Sequence, residues 1–277
     1  MEQNIFMPKA FADQLLKTAL EAAEAGGGIL SQYWGAPLDI KHKQFPSDLV
    51  TEVDEKSEKK IISIIKKNFP DHSILAEESG SQMTESEYLW IIDPLDGTTN
   101  YAHHYPMVAV SIGLLFQGEP ILGVVFNPIR QELFVGVKNL GATLNGRKIM
   151  VSQVSVLNQS LLGTGFAYNR LETRDNNYDE YCHFTNLSQG VRRSGSAALD
   201  LAYVAQGSLD GYWEQELKPW DIAAGIVLVQ EAGGKATSYE MSKVKIQSGQ
   251  ILATNGHIHA KLSQELLLVR KAKEKLH

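Results

Sequence analysis

Apolar positions along this chain follow first a helical and then a strand rhythm. Phe11, Leu15, Ala19, Ala22 and Ala23 recur at the spacing of one helix face, with Asp13, Glu21 and Glu24 between them, which predicts a long helix over 8–33. Gly26-Gly27-Gly28 follows helical rather than strand-like sequence and lacks a Gly-Lys-Ser/Thr ending. It reads as close helix packing or a helix end, not as a phosphate loop. A polar loop over 41–51 leads to a second helix over 54–68, capped by Thr51 or Asp54, with Ile61, Ile62, Ile64 and Ile65 as its buried face. Residues 73–77 form a short strand ending in the acid pair Glu77-Glu78. Adjacent carboxylates repel, which costs little on a solvated loop; at a strand end one of them could ligate a metal.

The apolar run Trp90-Ile91-Ile92 reads as a buried strand and ends in Asp93-Pro94-Leu95-Asp96, then Gly97-Thr98-Thr99-Asn100. The last four residues read as a turn into a helix N-terminus. Strands over 108–116, 121–126 and 132–137 follow, separated by Gly118-Glu119-Pro120 and Asn127-Pro128, and predict an antiparallel meander. Residues 140–146 look like an edge hairpin. Strands without intervening helices exclude a simple doubly wound nucleotide fold.

From about Val151 the pattern alternates. Strands are predicted over 161–166, 209–213 and 250–253, and helices over 175–188, 196–205, 220–232 and 257–273. The expected division is therefore an N-terminal α+β half, residues 1–150, and a C-terminal α/β half, residues 151–277, meeting near 145–155 without a flexible linker.

Composition narrows the class. The 277 residues are 43% hydrophobic and 21% charged, as in soluble globular proteins. Thirty-two acids against 26 bases give a net charge of −6, so no nucleic-acid partner is expected. The single cysteine, Cys182, excludes an intramolecular disulfide and fits a reducing compartment; it is expected as a small buried or half-buried residue rather than a catalytic thiol. No signal peptide and no membrane-spanning apolar run is seen, which makes a cytoplasmic location the expectation. The His103-His104 pair and His257-x-His259 lack a third ligand at a recognisable spacing and are expected at the surface or behind a site. Arg192-Arg193 reads as a solvated or interface pair.

The chemistry lies in the acids. Two carboxylates held at a strand end suit a hard cation such as Mg2+, which wants oxygen ligands on a rigid frame. The free N–H groups of Gly97, Thr98 and Thr99 at a helix start could bind phosphate beside it. Alone, Asp93-x-x-Asp96 also fits a strand followed by an Asx-capped turn, Asp221 fits a helix N-cap, and Asp54 fits a helix-start acid.

Taken together, Glu77-Glu78, the stretch from Trp90 to Asn100, and Trp220-Asp221-Ile222-Ala223-Ala224-Gly225 resemble the inositol monophosphatase family of Mg2+-dependent, lithium-sensitive phosphatases. The patterns Trp-x-x-Asp-Pro-x-Asp-Gly-Thr-x-Asn and Trp-Asp-x-Ala-Ala-Gly are both complete and in order. Asp48-Leu49-Val50-Thr51 through Asp54, Gly195-Ser196-Ala197-Ala198 and Glu231-Ala232-Gly233-Gly234 extend the likeness over most of the chain. The resemblance implies an α/β/α/β/α sandwich, an active site between its halves, two or three Mg2+ ions per site and a homodimer. It places Glu77, Asp93 and the Leu95 carbonyl on one metal, and Asp93, Asp96 and Asp221 on a second. Glu77 would help hold a third through waters. Thr98 with Asp54 would activate or orient the attacking water, the Gly97 and Thr98 amides would hold phosphate, and Gly195, Ala197 and Glu214 would contact the substrate alcohol. Lys43 falls where the family often has a lysine near the site.

The substrate stays open among small phosphate monoesters. Inositol monophosphates come first, with histidinol phosphate, adenosine 3′,5′-bisphosphate, fructose 1,6-bisphosphate and NADP as alternatives. A binding role in transcription or ribosome assembly, as some bacterial members have, is the competing reading from another class.

Overall fold

The structure, a computed structural model, describes residues 9–42, 45 and 49–275. Lys43, Ser47 and Asp48 lie outside these residues. In chain order the elements are α1 (Lys9–Tyr33), β1 (Ile40–His42), β2 (Leu49–Thr51), α2 (Glu52–Asn68), β3 (Ser73–Ala76), β4 (Gly80–Gln82), β5 (Tyr88–Asp96) and α3 (Thr98–Ala102). Then come β6 (Ala109–Phe116), β7 (Glu119–Asn127), β8 (Glu132–Val137), β9 (Gly141–Leu144), β10 (Arg147–Lys148), β11 (Leu161–Thr164), α4 (Tyr178–Leu187) and β12 (Gly190–Arg192). The chain finishes with α5 (Ala197–Gln206), β13 (Gly211–Glu214), α6 (Pro219–Glu231), β14 (Lys235–Thr237), β15 (Ile251–Thr254) and α7 (His259–Lys275).

Five layers result, α/β/α/β/α. The outer pair α1 and α2 covers one face of an eight-stranded sheet, ordered β10-β9-β8-β7-β6-β5-β3-β4. Helices α5 and α6 fill the middle. A five-stranded sheet follows, ordered β12-β11-β13-β15-β14, and its far face packs under α4 and α7. Strand β5 is buried on both faces: Trp90 and Ile92 point into the outer core and Ile91 into the middle one. That is why its sequence is a continuous apolar run rather than an alternating one.

Small residues let the middle layer close. Gly123 faces α6 so tightly that a Cβ there would stand 2.3 Å from the Ala224 carbonyl oxygen, and one at Gly113 would stand 2.7 Å from the Ala223 Cβ. The Ser111 hydroxyl donates to the Trp220 carbonyl at 3.1 Å, fixing the start of α6 against β6. On the other side of the sheet Gly26 and Gly27 lie inside α1, where Cβ atoms would meet Ile61 at 2.8 Å and Phe126 at 2.5 Å. Close packing is thus the outcome there, and the helix does not end.

Several expectations need correction. Residues 41–51 are not simply a loop, because β1 and β2 pair antiparallel. Ile62 is half-buried while Ile61, Ile64 and Ile65 are buried. Gly190 does not merely end a helix but opens β12, which pairs parallel with β11. Strands β4 and β14 have no counterpart in the periodicity; both are three-residue elements whose partners supply the order. Cys182 is exposed on α4 rather than buried. His259 is buried, 3% exposed, between Thr237 and Thr254, with both ring nitrogens within 2.9 Å of a hydroxyl. No described helix is long and apolar enough to cross a membrane.

Candidate active site

The central acids owe their placement to an irregularity in β5. Asp93 pairs with Ser111 and Asp96 with Ala109, so three steps on β5 match two on β6. In a regular strand residues three apart face opposite sides, whereas a bulge absorbs the extra residue and turns both acids the same way. Pro94 is tolerated at such a bulge because no ladder hydrogen bond is asked of its nitrogen. The bulge is closed locally by Leu95 N–H donating to Asp93 Oδ1 at 3.0 Å, and from α2 by the Ser57 hydroxyl donating to the Pro94 carbonyl at 3.1 Å.

Gly97 then turns the chain into α3 at φ +96, where a Cβ would press on the Met107 carbonyl at 2.8 Å. Only glycine fits that combination of left-handed backbone and close approach. Asn100 braces the turn, donating through Nδ2 to the Met107 carbonyl at 2.7 Å and the Ser194 carbonyl at 2.9 Å.

Thr98 is buried, and its hydroxyl lies 3.2 Å from both Asp54 Oδ1 and the Leu95 carbonyl. Asp54 sits in the first turn of α2, with Thr51 as the N-cap. Val53 N–H donates to Thr51 Oγ1 at 3.1 Å, while Thr51 N–H and Oγ1 donate to Asp54 Oδ2 at 2.9 and 2.6 Å. One carboxylate oxygen thus serves the helix start and the other faces Thr98. Burial raises the Asp54 carboxyl to about 6, against the lowering effect of the Thr51 hydroxyl and with a further rise from Glu77.

The second half of the chain reaches the same place through α5 and α6. Ser196 Oγ and Ala198 N–H donate to Asp96 Oδ2 at 2.6 and 2.8 Å. Asp221 is the third residue of α6 and accepts from the Lys218 N–H at 2.6 Å, so it completes the helix start without being its N-cap. Glu214 ends β13 and accepts a hydrogen bond from the buried Tyr212 hydroxyl.

Glu77, Asp93, Leu95, Asp96, Gly97, Thr98, Gly195, Ala197, Glu214 and Asp221 all line one cavity of about 280 Å³. Asp54 is one hydrogen bond behind it. Asp93 is held well above the usual carboxylate range by burial and by Glu77, Asp96 and Asp221. Burial likewise raises Asp96 to about 6, opposed by its bonds to Ser196 and Ala198, and raises Asp221 with help from Asp96. Glu214 is pushed up to about 7 by burial, opposed by Tyr212 and Arg193.

The donors lining the cavity are oxygens, with no His or Cys among them, which is the ligand chemistry of a hard divalent cation. Among the described residues no group of three or more acids or other ligands is already drawn in around one point. Instead Asp93 shares a hydrogen bond with Glu77 and is repelled by its neighbours, a cost that a bound cation would remove. The residues therefore fit such a metal in the chemistry of their donors.

Several lining residues had no assigned role from sequence: Phe166, Tyr168, Arg193, Asp200 and Gln215. Only the parallel pairing of β11 with β13 brings the first two beside Glu214. Ser196 was visible within the Gly195-Ser196-Ala197 stretch, though its hold on Asp96 was not.

The inositol monophosphatase family model matches residues 12–271. The chain is 56% identical to "Inositol-1-monophosphatase" of Synechocystis sp. over 91% of its own length and 88% of that protein's. It is 41% identical to "Nus factor SuhB" of Pseudomonas aeruginosa over 87% of its length and 91% of that protein's. Its fold superimposes on an inositol monophosphatase structure from Anabaena (Nostoc) sp. with a TM-score of 0.86 and 54% identity, covering 93% of this chain and 97% of that one. Superimposed fold and matched sequence agree: this chain is a phosphatase that belongs to the inositol monophosphatase family.

Proposed function

We propose that this chain is a Mg2+-dependent hydrolase of small phosphate monoesters, with inositol monophosphates as its principal substrates. The observation that carries the reading is the gathering of four acids and the Thr98–Asp54 pair about one cavity. Glu77, Asp93, Asp96, Asp221 and the Leu95 carbonyl would hold two or three Mg2+ ions. Bound there, the ions would neutralise the phosphate, lower the pKa of the attacking water and stabilise the departing alkoxide.

The chain's own groups do the rest. Thr98 has one hydroxyl hydrogen for two acceptors, so its oxygen lone pairs are left to orient a water in line with the phosphorus. Asp54, with a carboxyl near 6, is suited to receive that water's proton by way of Thr98. The Gly97 and Thr98 amides would hold the phosphate oxygens. The water oxygen bonds to phosphorus, the phosphorus–alcohol oxygen bond breaks, the alkoxide takes a proton from solvent while Asp54 gives its own back to solvent, and inorganic phosphate and the free alcohol leave. Glu214, with the backbone at Gly195 and Ala197, would receive the alcohol hydroxyls, and Asp221 would contact them from the metal side.

The same reading carries lithium sensitivity, a homodimer and a cytoplasmic location. It also includes the division into halves near 145–155, supported by one sheet built within 73–148 and the other within 161–254. A second reading, binding within a transcription or ribosome-assembly complex, is favoured by the Pseudomonas relative's name.

The test is phosphate release from inositol 1-phosphate, histidinol phosphate, adenosine 3′,5′-bisphosphate, fructose 1,6-bisphosphate and NADP, with Mg2+ and with or without lithium. Lithium-suppressed preference for inositol 1-phosphate is expected. Preference for another ester would keep the chemistry and move the substrate. Folded, Mg2+-binding protein inactive on all five would sink the reading in favour of the second.

A further inference from the structure

We propose that Arg270, on α7, latches the loop over 165–177 and thereby sets how tightly the alcohol part of the substrate is held; this rests on the phosphatase reading above. Helix α7 contributes nothing to the cavity lining. The loop does, through Gly165, Phe166, Ala167 and Tyr168, which stand beside Glu214 and Gln215. At Gly165 the backbone comes so near Glu214 that a Cβ would lie 2.1 Å from its carboxylate. The loop's position therefore determines the wall that the alcohol meets.

Little apolar burial holds that wall in place. Leu171 is 87% exposed and Tyr168 49% exposed, although Phe166 rests against Tyr178 and Tyr181 with ring centres at 5.1 and 5.6 Å. Polar ties do the holding. Asn177 is buried with a left-handed backbone, and its Nδ2 donates to Thr164 Oγ1 at 2.8 Å and the Gly165 carbonyl at 2.7 Å. Its Oδ1 accepts from Trp213 Nε1 at 2.7 Å, which joins the loop's end to β13.

Arg270 closes the next tie. Its guanidinium grips Asp175 as a fork, Nη2 to Oδ2 at 2.8 Å and Nη1 to Oδ1 at 3.2 Å, and Nη1 also donates to Gln215 Oε1 at 2.6 Å. Gln215 returns a bond from Nε2 to the Asp175 carbonyl at 2.7 Å. The three residues form a closed ring joining α7, the loop and the residue after Glu214. A fork that binds two planar acceptors needs arginine, because a lysine ammonium offers one point of charge. Lys273, one turn on, bonds Glu180 at 2.7 Å and steadies the start of α4 beyond the loop. Arg270 is thus a positioning residue, acting on substrate through the loop and Gln215.

Arg270→Ala and Arg270→Lys test this with two independent readouts. The loop carries Arg170 and Arg174, both trypsin sites. In Arg270→Ala, cleavage there should quicken about fivefold, as expected for the loss of a forked ion pair, with the melting temperature little changed. KM for inositol 1-phosphate should rise by a similar factor, about fivefold, with kcat held within about twofold. Inhibition by inorganic phosphate, which lacks the alcohol, should not move. Arg270→Lys should recover part of the KM but not all.

Unchanged cleavage together with unchanged KM would overturn the proposal. So would a fall in kcat with weakened phosphate inhibition, which marks a general structural role. Faster cleavage with unmoved KM would refute the link to substrate. If the wild-type protein releases no phosphate from any ester, the phosphatase reading and the alcohol-holding claim fail together, and the cleavage rates still decide the latch.

Discussion

Gly123→Ala puts the seating of α6 to the test. A Cβ at this position would stand 2.3 Å from the Ala224 carbonyl oxygen and 2.9 Å from that residue's carbonyl carbon and Cα. The shortest of these is about 1.1 Å inside the 3.4 Å at which ordinary contact begins. All three atoms are backbone, so no rotamer change relieves them and the helix itself has to move. Overpacking of this kind costs about 1–3 kcal/mol. For a chain of this size that lowers the melting temperature by roughly 2–5 °C. Asp221 lies one turn before Ala224, so a shift of α6 on the order of 1 Å also carries its carboxylate off its place, at a cost of about a hundredfold in turnover. Thermal melting followed by circular dichroism, and Mg2+-dependent phosphate release over a range of Mg2+ concentrations, would read both effects. Gly28→Ala is the control: a Cβ there meets nothing within 4 Å inside helix α1, and the change should stabilise by about 0.5–1 kcal/mol. Wild-type melting and wild-type activity in Gly123→Ala would refute the argument that this contact positions Asp221.

Asp93→Asn should lower Mg2+-dependent turnover by about a thousandfold or more while the protein stays folded; full turnover in a steady-state assay would remove Asp93 from the ligand set. Asp93, Asp96 and Asp221 have carboxyls raised in the fold, so the stability they contribute is present at low pH and lost as pH rises through those raised values. Mg2+ should therefore stabilise the protein more at pH 8 than at pH 5; at pH 8 a hundredfold excess over its dissociation constant contributes about 2.7 kcal/mol. A melting temperature insensitive to Mg2+ at pH 8 would count against this. His259 behaves oppositely: burial, then the charge of Lys235, lowers it from 6.5 to about 4. The unfolded chain takes up that proton first, so stability falls between pH 6.5 and about 4, by at most roughly 3 kcal/mol. Urea unfolding at pH 7 and pH 5 should show a smaller fall in His259→Gln than in the wild type, and equal falls would refute the assignment.

Much of this architecture could be read from the chain because burial on one or two faces writes a period into the sequence. Helix α2 shows it in Ile61, Ile64 and Ile65, and β5 in its unbroken run from Trp90. The short edge strands β4, β12 and β14 were missed because three residues cannot carry a period and their order comes from their neighbours. The acids were legible because a proline bulge and a helix start each fix a spacing within a few residues. The contacts of Ser196, Gln215 and Arg270 were not, since they join residues that only the tertiary fold brings together. Cys182 and His259 show the limit of residue type as a guide. Cysteine is usually buried yet stands exposed on α4, while a histidine read as peripheral sits between two threonines in the core.

The position of α6 has a consequence for how the protein is made. Asp221 follows Asp96 by 125 residues, which at about 5–20 residues per second is roughly 6–25 s of synthesis. During that interval a nascent chain holds Glu77, Asp93 and Asp96 but lacks the fourth acid. Until Ser196 and Ala198 are made it also lacks the donors that steady Asp96. The inner face of the large sheet, with Ala109, Gly113, Gly123 and Val125 awaiting the middle helices, is meanwhile bare to water. The ribosome therefore releases first a sheet in need of shelter, and the active site closes only when the last third of the chain arrives to cover it.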